Sequence, residues 1–173
     1  MNWLVITLSL LFMLSGCGKK SRFDEATVVD VCSIVSEAEA QRIFGPLSEQ
    51  PKPQPHGSGV AGDCRWSFKS TFGGNNATLF VMLMTNGSSG EFQDLDRWFK
   101  MSLEEVKVSL GAHPWEMKNL GDKAFLFQSP QPDHSEIWMQ QSKTYAVLRI
   151  TGASSSQLES FARILARELE PKK

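Results

Sequence analysis

The feature that most restricts this fold is the segment from Ala77 to Thr85, in which Leu79, Phe80, Val81, Met82, Leu83 and Met84 follow one another without a polar break. Gly73-Gly74-Asn75-Asn76 precedes it as a turn signal, and Asn86 to Gly90 breaks the chain after it. A short apolar run between such breaks predicts a central strand covered on both faces. Upstream, Cys64-Arg65-Trp66-Ser67-Phe68 alternates with a period of two, so Cys64, Trp66 and Phe68 share one face while Arg65 and Lys69 share the opposite one, which reads as a solvent face rather than an anion site. The two segments read as a hairpin.

Helices bracket this hairpin. Ser36 and Glu39 have capping-box spacing, helix formers run to Phe44, and Gly45-Pro46 supplies a stop. From Glu91 to Leu110, Phe92, Leu95, Trp98, Phe99, Leu103, Val106 and Leu110 recur at three- and four-residue steps, an amphipathic helix preceded by a second box at Ser88 and Glu91. A third box, Ser154 with Gln157, opens a helix whose stripe is Leu158, Phe161, Ala162, Leu165 and Leu169, ended by Pro171. Between them, Ala124–Gln128, Ile137–Gln140 and Tyr145–Thr151 read as strands, with a turn at Leu120 to Lys123 and a hairpin turn at Gln141-Ser142-Lys143. Residues 48–63, with Pro51, Pro53 and Pro55, read as a loop, as does Ala112-His113-Pro114-Trp115. Gly57, Gly59 and Gly62 spell GxGxxG, but dinucleotide binding needs a helix after them, and a strand-like segment follows instead. The expected fold is α+β, an antiparallel sheet of about five strands packed with three helices, formed by residues 28–173.

The first residues have a different character. Trp3 to Leu14 is apolar and uncharged, too short for the roughly 18 residues of a membrane-spanning helix. It reads as a secretory signal covering residues 1–16. Leu14-Ser15-Gly16-Cys17 resembles the bacterial lipobox, although Lys and Arg are missing from the two residues ahead of the apolar stretch. The resemblance implies cleavage before Cys17 and acylation of its thiol and of the new amine. The membrane would then be a partner through the lipid on Cys17, with residues 17–27 as a polar tether. It further implies the bacterial cell envelope. In a Gram-negative host, Gly18 fits the outer membrane, facing the periplasm; in a Gram-positive host the anchor is the cytoplasmic membrane.

With Cys17 lipidated, Cys32 and Cys64 remain, and in an oxidising compartment a disulfide is the default pairing. A metal site and a reactive thiol are the rival readings; neither cysteine has a histidine at ligand spacing, since His56, His113 and His134 are isolated. No metal and no cofactor is expected.

Eighteen basic against 19 acidic side chains, a net charge of −1, argue against a nucleic-acid partner. Neither Gly-x-Ser-x-Gly nor His-Glu-x-x-His occurs. Asp94, Asp96, Glu104 and Glu105 read as a solvated helix face. Trp66, Trp98 and Trp138 read as core. Trp115, next to Pro114 and His113, lies outside any stripe and either folds down over the sheet or serves with His113 as an interface. The lipobox, Cys32-Ser33-Ile34-Val35-Ser36-Glu37, Cys64-Arg65-Trp66 and Leu120-Gly121-Asp122-Lys123-Ala124 together resemble small bacterial envelope lipoproteins with a disulfide-stapled domain. The function expected is therefore a non-enzymatic binding or assembly-support module with an envelope protein partner. The alternatives are an inhibitor or immunity protein, and a carrier whose apolar cavity would use Met82 and Met84. An enzyme would need His113 or His134 to meet a carboxylate and a nucleophile in one cleft.

Overall fold

The computed structural model describes residues 29–54, 60–69, 76–85, 95–110, 113–129 and 134–170. The signal, Cys17, the tether, Gly57, Gly59, the Ser88–Glu91 box, Asp94, the first residues of the long helix and the side chain of Trp98 lie outside them. Four helices are described, α1 (Val31–Ile34), α2 (Glu37–Phe44), α3 (Leu95–Leu110) and α4 (Ser155–Glu168). With them are seven strands, β1 (Leu47–Lys52), β2 (Gly62–Phe68), β3 (Ala77–Thr85), β4 (Trp115–Glu116), β5 (Lys123–Gln128), β6 (His134–Gln141) and β7 (Thr144–Thr151).

One sheet holds all seven strands in the order β1-β2-β3-β7-β6-β5-β4, with every neighbouring pair antiparallel. It consists of two meanders joined where β3 pairs with β7. The α+β class is as expected, and the sheet is two strands larger. Residues 47–52, expected as part of a loop, form β1. Proline lacks the N–H a central strand needs, but β1 is an edge, where Pro51 sits within the register shift between Glu49 and Lys52. Likewise Trp115, expected in a loop, belongs to β4, which pairs with β5 through Trp115–Leu126 and Glu116–Phe125 only. The extra helix, α1, is a single turn capped by Asp30, whose carboxylate accepts from the Cys32 amide.

Local chemistry sets the helix ends. Ser36 Oγ accepts from the Glu39 amide, and Gly45 stops α2 at φ 91°, its N–H bonded to Gln41 O at 2.8 Å. Ser154 and Gln157 form the reciprocal box of α4, and Gln157 Nε2 also donates to Ile43 O at 2.8 Å, tying α4 to α2.

Alternation divides the sheet into two faces. On the first, Cys64, Trp66, Phe68, Leu79, Val81, Ile137, Leu148 and Ile150 are buried beneath α1, α2 and α4, with Phe161 packed edge-on to Trp66 at 5.6 Å. The second is covered by α3 where Phe99 and Leu103 meet Met84, Tyr145, Val147, Trp138 and Phe127. Tyr145 donates its hydroxyl to Asp96 in the first turn of α3.

Cys32 and Cys64 are bonded, with Cα atoms 5.2 Å apart, so the disulfide fastens α1 to β2. Next to it the entering backbone crosses Gly62 so closely that a Cβ there would stand 2.1 Å from Val29 O. The glycine is required by this crossing, and the strand that it opens is not the helix of a dinucleotide fingerprint.

Candidate functional site

Strand register builds a continuous row across the second face: Lys52, Arg65, Phe80, Arg149, Glu136 and Phe127, one from each of β1, β2, β3, β7, β6 and β5. The row runs from open surface into the α3 core. Arg65 and Arg149 are exposed, Phe80 between them is half-buried, and Glu136 and Phe127 are buried.

Glu136 is held by three donors. Arg149 Nε reaches its Oε1 at 2.6 Å, Trp138 Nε1 reaches Oε2 at 3.0 Å, and His134 Nε2 lies 3.3 Å from Oε1. Burial pushes its pKa up. The hydrogen bonds from Arg149 and Trp138, the Arg149 charge and the His134 contact outweigh that and hold it below the ordinary glutamate value. Arg149 uses only Nε here; among the described residues its terminal nitrogens make no hydrogen bond, and its side chain is 48% exposed.

At the β1 side, Glu49 accepts from Lys52 Nζ and from Ser67 Oγ at 2.9 Å. The bond from Lys52 lowers its pKa most, with Ser67 next and smaller electrostatic contributions from Lys52 and Arg65. The Arg65 side chain makes no hydrogen bond or ion pair among the described residues. Next to it lies a shallow depression of 350 Å³ lined by Ser48, Glu49, Arg65, Ser67, Asn76 and Thr78.

Trp115 stands elsewhere, on the far edge of the sheet and on the helix-covered face, opposite Leu126. It does not fold down over the sheet: it is 65% exposed, and His113 two residues earlier is exposed too. The reason is positional, since among the described strands β4 is the last and has a neighbour on one side only.

The remaining candidates are packed or solvated. His134 does meet a carboxylate, Glu136, but one already engaged by Arg149 and Trp138. Glu104 pairs with Lys107 on the solvent side of α3, and Glu105 is exposed. Met84 is buried among Phe99, Tyr145 and Val147, with Met82 against the same cluster. Two further surface depressions, of 530 Å³ between α2 and α4 and 340 Å³ beside the Asn119–Asp122 turn, are bordered by Arg163. Among the described residues, no group of three or more His, Cys, Asp and Glu side chains is placed to hold a metal ion.

The row of Arg65, Phe80, Arg149 and Glu136 was missed by the sequence reading. Part of it carried a signal: a hairpin turning at Ser142-Lys143 places Glu136 opposite Arg149.

Compared with protein-family models, with curated proteins and with solved structures, the chain gives no significant match.

Proposed function

We propose that this chain is a bacterial envelope lipoprotein, held on a membrane through a lipid on Cys17, whose domain binds a protein partner without catalysing a reaction. The observation that carries the binding reading is Trp115. A large indole on a sheet edge, backed by paired strands, leaves apolar area in water that a partner could bury at about 25 cal/mol per Å². It is a rigid aromatic, so little conformational freedom is lost on contact.

The anchor reading rests on Leu14-Ser15-Gly16-Cys17. A disulfide between Cys32 and Cys64 is consistent with an oxidising compartment outside the cytoplasm. The engagement of Glu136 by Arg149, Trp138 and His134 favours a scaffold role for that cluster over acid–base work.

The test is photo-crosslinking in host membranes, with a photoreactive residue replacing Trp115 in the full chain and, as a control, replacing Val108, which is 84% exposed on α3. A discrete protein adduct from position 115 and none from 108 is the expected result. Equal or absent labelling at both positions overturns the reading.

A further inference from the structure

We infer that the Cys32–Cys64 disulfide is a redox-sensitive clasp: its reduction by a dithiol frees residues 29–35 from the sheet while the rest of the domain stays folded. The clasp rests on the geometry of the domain alone. Its consequence, a longer leash between a lipid on Cys17 and the domain, rests on the anchor proposed above.

Three observations define the clasp. The first is how little else holds the segment, which contains the single turn of α1. Among the described residues its hydrogen bonds are internal, with one exception. Cys32 N–H donates to Asp30 Oδ1 at 3.1 Å, Ser33 N–H and Oγ–H to Asp30 O at 3.2 and 2.9 Å, and Val31 N–H to Val29 O at 2.9 Å. Only Val29 N–H reaches outward, to Ala61 O at 2.8 Å. Val31 and Val35 are buried in the core, with Val29, Cys32 and Ile34 partly so. The conformational freedom lost in fixing such a segment is comparable to what its buried side chains and one outward hydrogen bond return. The covalent bond therefore tips the balance.

The second is where the hold on the chain resumes. Helix α2 is fixed without the disulfide: Phe44 packs on the Phe68 ring at 4.8 Å and the Phe161 ring at 5.9 Å, Ile43 O accepts from Gln157 Nε2, and Arg167 Nη2 donates to Glu39 Oε1 at 3.2 Å. On the other side of the bond, β2 pairs with β3 residue for residue from Gly62 to Phe68. The unit released thus ends at Val35, before the Ser36 cap.

The third is access. Cys64 is fully buried and Cys32 only partly. A thiolate of the reductant therefore attacks Cys32 Sγ, forming a mixed disulfide as the Cys32–Cys64 bond breaks and Cys64 leaves as a thiolate. The second thiolate of the reductant displaces Cys32 in turn. Both cysteines take up protons, so the chain gains two electrons and two protons while the dithiol becomes a disulfide. The seven freed residues, at about 3.3 Å each, add roughly 23 Å to the reach of the domain from its lipid.

The experiment uses the full-length chain in neutral detergent, with hydrogen–deuterium exchange read by mass spectrometry before and after dithiothreitol, and in a variant carrying both Cys32→Ser and Cys64→Ser. Peptides covering residues 29–35 should exchange at least about tenfold faster after reduction, while those of β2, β3 and α4 stay protected. The variant should match the reduced chain with no reductant present, and both should still unfold cooperatively in urea. Unchanged exchange at 29–35, or protection lost throughout β2, β3 and α4, would overturn the clasp. The leash is read separately on the lipidated chain in vesicles carrying a dansyl headgroup, by energy transfer from the tryptophans. Reduction should lower that transfer. Release of the segment with transfer unchanged upholds the clasp, overturns the leash and counts against the anchor, so the two failures are distinguishable.

Discussion

A carboxylate whose side chain is only 6% exposed must be satisfied or become neutral, and Glu136 is satisfied by Arg149, Trp138 and His134. These donors favour its charged form, so its folded pKa lies below that of a free glutamate. The associated stability is therefore fully present above the free value of about 4.3 and is lost as pH falls through the lower, folded value. Glu136→Gln should flatten that acid-side loss in urea unfolding measured over a pH series. Arg149→Met should cost about 1–3 kcal/mol at neutral pH, because it removes a charged donor from a buried acceptor, and the cost should shrink as acid protonates Glu136. Trp66 presents the opposite situation. It is buried, and its indole N–H has no hydrogen-bond partner among the described residues. Trp66→Phe should therefore cost about 1 kcal/mol or less, since it removes an unsatisfied donor along with part of the ring, whereas Trp66→Ala should cost about 3–5 kcal/mol. Chemical denaturation of the two variants separates these effects.

Among the elements, α1 is a single turn and has no cooperative helix of its own; the Cys32–Cys64 bond and the crossing at Gly62 keep it on β2. Reduction, or paired Cys32→Ser and Cys64→Ser substitution, should lower unfolding stability by about 3–4 kcal/mol in the chain-entropy account, read as a shift in the urea midpoint. Elements whose signals are local were legible in the sequence. The Ser36 and Ser154 caps, the Gly45 stop and the β6–β7 turn each depend on residues within four positions. What was not legible depends on neighbours distant in sequence. Prolines at 51, 53 and 55 read as a loop, and only the edge position of β1 makes a strand compatible with Pro51. Strand β4 has two residues, too few for any periodicity, and it exists because β5 offers a free side. Trp115 stood out as an aromatic outside every stripe. The Arg65–Phe80–Arg149 row could not be assembled, because it requires the β3–β7 pairing across a long sequence separation.

At the scale of the whole molecule, both sheet edges resist pairing with another strand: β1 through Pro51 and its register shifts, β4 through its shortness. On the function proposed above, contacts with a partner would then fall to side chains such as Trp115. Described backbone begins at Val29, whose N–H bonds Ala61 O at 2.8 Å beside the start of β2. A lipid on Cys17 would hold the domain by a segment reaching at most about 40 Å when extended. Intact mass spectrometry of the protein from host membranes, with and without reductant and against a Cys17→Ala variant, tests the proposed oxidised domain on a lipid anchor most directly. The predicted result is a mature chain beginning at Cys17, carrying acyl mass and gaining two hydrogens on reduction, with no acylated form from the variant. An unacylated chain with free thiols at Cys32 and Cys64 would contradict both the anchor and the oxidising compartment.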